Sequence, residues 1–121
     1  MWSALAFACA VAVAAGCSGG GSSADMPCPL RARSCTPEQA RMTLTTLYEK
    51  SGATPTQAAC LVALTPPFHS FTEAFRNNGS GVDVDKAAHC VGGAGNLRIL
   101  GAKVIDTIDR IDPKFARSVG I

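Results

Sequence analysis

The sequence predicts an all-α fold: a small bundle of four to five short helices held together by two disulfides. Two observations predict this class. Apolar residues recur at helical spacing along most of the 121-residue chain, and no segment alternates convincingly with the period of two that marks a strand. Six cysteines are present, and the four that follow residue 27 form an even set, which is typical of a disulfide framework in a short exported chain.

The first two helices begin with the same local pattern. Residues 36–39 (Thr-Pro-Glu-Gln) have the form of a capping box, with Thr as N-cap, Pro at the first helical position and Gln three residues on. Apolar residues then follow at helical spacing: Ala40, Leu44, Leu47 and Tyr48. Gly52 is placed to end this helix. Residues 54–57 repeat the start signal for a second helix, which Pro66-Pro67 ends, and the short connection predicts an antiparallel hairpin.

The next two helices are predicted to be short. A third helix is expected over residues 68–76, with three phenylalanines on one side: Phe68, Phe71 and Phe75. Residues 77–81 (Asn-Asn-Gly-Ser-Gly) indicate a loop. Asp83 or Asp85 then caps a brief fourth segment that runs through Val91.

The last helix has the strongest periodic pattern. An apolar stripe runs along residues 97–111: Leu97, Leu100, Val104, Ile108 and Ile111. The glycine-rich segment 92–95 before it is interpreted as a flexible hinge between helices. Asp112-Pro113 ends the helix, or restarts it as a final turn that contains Phe115 and Val119.

The N-terminal residues have the features of a signal peptide. Residues 5–16 contain no charge, proline or strongly polar group, and they are too few for a membrane span, which needs roughly 20 apolar residues. The stretch ends in Ala14-Ala15-Gly16-Cys17 and is followed by a Ser-Gly-rich segment. Over residues 1–23 the chain resembles a bacterial lipoprotein, in which the cysteine of such a lipobox carries a diacylglycerol and a flexible tether follows.

The resemblance implies three parts: a signal peptide over 1–16, a lipidated Cys17 with a flexible linker over 17–27, and a helical domain over 28–121. It also implies a lipid anchor in the cell membrane, on the extracytoplasmic side. Position 14 is Ala where Leu is usual, and no basic residue precedes the apolar stretch, so ordinary secretion is the alternative. Cysteine parity favours lipidation, because secretion with Cys17 retained leaves an odd thiol.

Four cysteines allow three pairings, and we favour Cys28–Cys35 with Cys60–Cys90. The first pair closes a tight loop ahead of the first helix, and the second ties the second helix to the segment before the glycines. A zinc site made of the same four cysteines is disfavoured. Their spacings of 7, 25 and 30 positions contain none of the close Cys-x-x-Cys pairs that zinc sites use.

No catalytic or cofactor site is predicted. Residues 87–90 (Ala-Ala-His-Cys) resemble the catalytic-histidine motif of chymotrypsin-like serine proteases, but no nucleophile loop follows. Residues 93–95 (Gly-Ala-Gly) lack the preceding strand and third glycine of a dinucleotide site. His69 and Glu73 lie four apart on the third helix and are interpreted as a solvated pair. We therefore expect neither an enzyme nor a bound cofactor or metal.

The charges argue against a nucleic-acid partner. The 11 Lys and Arg residues and the 9 Asp and Glu residues are finely interspersed and leave a net charge of +2. A nucleic-acid-binding surface, like a polybasic membrane patch, requires clustered positive charge.

The class of protein predicted is a small membrane-anchored, non-enzymatic binding or interaction module of the bacterial cell envelope. Its candidate binding face is Phe68, Phe71 and Phe75, and the competing interpretation is that these rings pack in the core against the 97–111 helix. Two alternatives remain: a carrier of a small apolar ligand, held between the three phenylalanines and the 97–111 stripe, and a phage-encoded exclusion or immunity lipoprotein. A closed apolar cavity, rather than a packed core, favours the carrier.

Overall fold

The computed structural model describes residues 26–77 and 82–121, and these form six α-helices without a β-strand. The signal peptide, Cys17 and most of the linker lie outside the described residues. The helices are α1 (Pro37–Lys50), α2 (Pro55–Leu64), α3 (Phe71–Arg76), α4 (Val84–Val91), α5 (Ala94–Ile111) and α6 (Pro113–Ser118). The all-α, disulfide-linked fold is confirmed, and the described helices exceed the predicted four to five because the turn after Asp112 is a helix of its own.

Both predicted capping boxes are present. The Gln39 N–H donates to Thr36 Oγ1 at 3.1 Å, and the Thr36 N–H donates to Gln39 Oε1 at 3.0 Å. Thr54 and Gln57 make the same two bonds at the start of α2, at 3.1 and 3.0 Å. Each box satisfies backbone N–H groups that have no partner within the first turn of a helix. Because every partner lies within three residues, sequence alone was sufficient to locate these helix starts.

Helices α1 and α2 form the expected antiparallel hairpin. Gly52 makes the turn between them with a φ of 108°, a conformation that glycine adopts without strain. The Arg41 guanidinium on α1 then reaches the far end of α2. It donates to the carbonyl oxygens of Val62 and Thr65 at 2.8 and 3.0 Å, which satisfies acceptors that the end of a helix leaves free.

Helix α3 begins later than predicted. Its N-cap is Ser70, whose hydroxyl oxygen accepts the Glu73 N–H at 3.1 Å, so the first helical residue is Phe71. Phe68 precedes the helix and is nevertheless buried. Serine side chains compete with the helix for backbone groups and favour caps, which explains why the helix starts after residue 70.

Two glycines join α4 to α5. Of the two candidate caps, Asp83 begins α4: its carboxylate accepts the N–H groups of Asp85 and Lys86. Gly92 ends α4 with a left-handed φ of 86°, and Gly93 begins α5 with a φ of 140°. The segment interpreted as a flexible hinge is therefore a tight turn, and its conformation is one that other residues rarely adopt.

The disulfides join Cys28 to Cys35 and Cys60 to Cys90, with Cα–Cα distances of 5.8 and 5.6 Å. This is the pairing favoured from the sequence, and no free cysteine is left in the described ranges. The first bond closes the loop before α1. The second bond links α2 to α4 across a separation of 30 residues.

The buried side chains form two clusters. The first gathers around Phe115, Leu47 and Ile108, and the second lies between α2, α4 and α5. Val104 packs against both. Met26, which was predicted to lie in the linker, is buried in the first cluster. A single methionine next to a proline has no periodic pattern, so only tertiary packing reveals that it belongs to the core.

Candidate functional site

A cavity of about 340 Å³ opens between α1, α3 and α5, where the two buried clusters meet, and it is partly open to solvent. We call it the apolar cavity. Its lining in the described part of the chain is Leu44, Leu47, Tyr48, Phe68, Phe71, Ala74, Phe75, Leu97, Leu100, Gly101, Val104 and Ile108. Cavities of this size fall within the range of small-molecule sites, which also tend to be apolar and few in number.

Helical spacing brings the lining residues of α1 and α5 together. On α1 they lie three and four positions apart, which places them on one face. On α5 the lining follows the predicted 97–111 stripe from Leu97 to Ile108, and Gly101 lies in the middle of it. The carrier hypothesis called for a closed cavity between the three phenylalanines and this stripe. The apolar cavity lies between them, but it is partly open to solvent.

The three phenylalanines form one wall of the apolar cavity. Phe68 is 5% exposed and Phe71 is 2% exposed, and their rings meet edge to face at 5.1 Å. Phe75 is half-buried and meets Phe115 in the same manner at 5.7 Å. Such pairs stabilise a core beyond the burial of their area. Two rings of the candidate binding face, Phe68 and Phe71, are therefore buried, whereas Phe75 keeps part of its surface exposed.

Gly101 is a lining residue that sequence reasoning missed. It lies in the interior of α5, where Gly destabilises a helix by about 0.5–1 kcal/mol relative to Ala. A Cβ added at this position meets no heavy atom within 4 Å. The only sequence signal was a glycine inside a helical pattern, and that pattern does not distinguish a cavity wall from an ordinary surface position.

Tyr48 supplies the one polar side chain in the described lining. Its hydroxyl has no hydrogen-bond partner among residues 26–77 and 82–121. Burial raises the pKa of Tyr48, so the hydroxyl stays protonated and neutral at physiological pH. With no Lys, Arg, Asp or Glu in the same lining, the described wall is uncharged.

The other residues singled out from the sequence do not assemble into a site. Glu73 does not pair with the imidazole of His69. Its carboxylate instead accepts the His69 backbone N–H at 2.9 Å, because Ser70 starts α3 beyond that histidine. His89 is exposed on α4, beside the disulfide-bonded Cys90. In the described ranges, no three His, Cys, Asp or Glu side chains are grouped so as to hold a metal ion.

Comparison of the chain with known protein families, with curated proteins and with solved structures finds no match. Among the described helices, none combines the length and apolar character needed to cross a bilayer. The apolar cavity itself is therefore the feature from which a function can be inferred.

Proposed function

We propose that this protein is a non-enzymatic binding protein of the bacterial cell envelope, tethered to the membrane by a lipid on Cys17, and that it holds a small neutral apolar molecule in the apolar cavity. The observation that carries the proposal is the composition of that cavity. Its described lining is apolar except for the neutral Tyr48, and its volume of about 340 Å³ is partly open to solvent. By comparison, an engineered apolar cavity of ~150 Å³ holds one benzene molecule.

The expected affinity follows from the area that a ligand buries. A molecule with two fused or linked rings buries ~280 Å² of apolar surface, which at ~25 cal/mol/Å² gives up to ~7 kcal/mol. That free energy corresponds to a Kd on the order of 10 μM. The loss of translational freedom weakens the complex from this upper bound. A hydrogen bond to the Tyr48 hydroxyl, which has no partner among the described residues, offsets part of that loss.

The lipobox and linker support a position next to the membrane. Residues 17–25 connect the lipidated cysteine to the first described residue, and nine extended residues span at most ~30 Å. A lipid on Cys17 thus keeps the apolar cavity close to the bilayer, where apolar molecules accumulate.

The direct test is a titration with N-phenyl-1-naphthylamine, a neutral probe whose fluorescence rises in apolar surroundings. The protein used consists of residues 18–121, the chain without the proposed signal peptide and lipidated cysteine. We expect saturable binding of one probe per chain with a Kd of about 10–100 μM, weaker than the upper bound on affinity because of the lost translational freedom, and displacement by unlabelled naphthalene. The reduced, denatured chain is the control. A signal that does not saturate, or that equals the control, contradicts the proposal.

A protein partner in the envelope is the second candidate. The observation that favours it is the exposure of Ile99 (57%) and Ile105 (49%) on α5, together with Met42 on α1. Exposed apolar side chains favour an interaction site only where a partner covers them together, and positions 99 and 105 lie about 120° apart around α5. Crosslinking in native envelopes tests whether a partner docks on α5. The double variant Ile99→Asp, Ile105→Asp is expected to remove a specific crosslinked adduct. An unchanged adduct pattern contradicts a docking surface on α5.

A further inference from the structure

We propose that Gly101 determines which ligands the apolar cavity admits, and that these are neutral molecules whose apolar body enters between α1 and α5 past this residue. The inference rests on the proposed function, since it assigns the entrance and the ligand class of the same site. It adds a residue that determines specificity, because the absence of a side chain at position 101 leaves room for the ligand.

The usual structural reasons for a glycine do not apply at position 101. Gly52, Gly92, Gly93 and Gly120 have positive φ angles, which explains the residue type at those positions. Gly101 has an ordinary helical backbone, and an added Cβ meets nothing within 4 Å, so no neighbour requires its absence. A helix interior favours alanine over glycine. What distinguishes this position is that it lines the apolar cavity.

Position 101 lies between two other lining residues of α5. Leu97 lies one turn before it and Val104 one turn after it, and both line the apolar cavity. Gly101 itself is exposed, which puts it at the solvent side of that lining. Side chains on a helix lean towards its N-terminus, so a larger residue at 101 extends over the turn that carries Leu97. A leucine at this position therefore covers part of the opening.

The neutrality of the ligand follows from the wall. The described lining includes no charged side chain, and its one hydroxyl belongs to Tyr48. A charged group moved into such surroundings loses its hydration without gaining a counter-ion, which is strongly unfavourable. A ligand that carries an ionised group on its apolar body is therefore rejected.

The experiment compares two variants at Gly101 with a matched control on the same helix. Gly95 lies in the first turn of α5, is exposed, leaves open space around an added Cβ and does not line the apolar cavity. Gly101→Leu is expected to raise the Kd for N-phenyl-1-naphthylamine about tenfold or more, and Gly101→Ala about two- to threefold. Gly95→Leu is expected to leave that Kd unchanged. The probe's sulfonated analogue, 1-anilinonaphthalene-8-sulfonate, is expected to bind the parent chain about tenfold more weakly or worse.

The outcomes separate the two proposals. If the parent chain does not bind the neutral probe, the proposed function fails, and this inference fails with it. If the parent chain binds but Gly101→Leu retains its affinity, or weakens only as much as Gly95→Leu, the role of Gly101 is refuted while the proposed function stands. Equal affinity for the sulfonated analogue refutes the ligand class. If Gly101→Leu does not melt cooperatively, Gly101→Ala decides, and parent-like affinity then refutes the inference.

Discussion

Replacing Phe71 by alanine removes a ring that is 2% exposed and forms a wall of the apolar cavity. The substitution deletes the buried ring and its edge-to-face contact with Phe68 at 5.1 Å. Losses of this kind in protein cores amount to about 3–5 kcal/mol. We expect about 3 kcal/mol, at the low end, because the ring borders an existing opening and part of the new space merges with it.

The effect is large enough to measure by thermal and urea unfolding of residues 18–121, followed by circular dichroism. For a folded part of this size, each 1 kcal/mol lowers Tm by roughly 4–8 °C, so the expected decrease is roughly 12–24 °C. The dependence of unfolding free energy on urea concentration should keep its slope, because the folded state retains its compactness. Phe75→Ala is the matched control. Phe75 is half-buried, and we expect its loss to cost about 1–2 kcal/mol.

The core-packing role of Phe71 is refuted if Phe71→Ala lowers the unfolding free energy by less than about 1 kcal/mol, or by no more than Phe75→Ala does. Either result means that Phe71 does not pack as a core residue, and it restores the three phenylalanines as an exposed binding face. A large loss with the expected ranking removes that face from the set of docking surfaces and leaves the apolar cavity as the route to these rings.

Three further predictions concern other parts of the chain. Replacing Cys60 and Cys90 together by serine should lower the unfolding free energy by about 3–4 kcal/mol, because the bond closes a 30-residue separation; an unchanged urea midpoint contradicts this. Burial alone raises the pKa of Asp112, but hydrogen bonds from the Phe115 N–H and from Arg31 at 2.7 Å outweigh it and lower the pKa. The ionised Asp112 carboxylate therefore stabilises the fold fully above the unfolded-state pKa of about 4, and this stabilisation is lost as pH falls through the lower folded-state pKa. Asp112→Asn should accordingly reduce the fall in Tm at acid pH, which thermal unfolding across pH measures. Cys17→Ser should abolish incorporation of a labelled fatty acid, and labelling equal to the parent chain excludes the lipobox assignment.

Features that depend on near neighbours in the chain were predictable from the sequence. The two capping boxes, the turn at Gly52 and the stop at Asp112 involve partners within four residues, so their residue types identify them directly. The start of α3 is the exception. The spacing of the phenylalanines indicated a helix from residue 68, but the cap formed by Ser70 begins it three residues later. A local hydrogen bond outweighed the apolar periodicity there.

The candidate site was only partly predictable. The sequence pattern indicated the three phenylalanines and the 97–111 stripe as the lining of a ligand site. It left open whether these residues pack in a core or line a cavity. That choice depends on how closely α1, α3 and α5 approach one another, which no pattern within a single helix encodes. Gly101 is an example. The residues that line the apolar cavity opposite it lie on other helices, so only the tertiary structure shows that a Cβ added at position 101 would meet no other atom.

The sequence by itself determined the helical class, most of the helix boundaries and the even set of cysteines, because these follow from residue spacing and from bonds between near neighbours. The tertiary structure decided which cysteines pair, that Met26 belongs to the core, and that an opening of about 340 Å³ remains between the helices. The physical reason is that packing joins residues distant in the chain, and the space left between them is a property of several helices together rather than of any one segment.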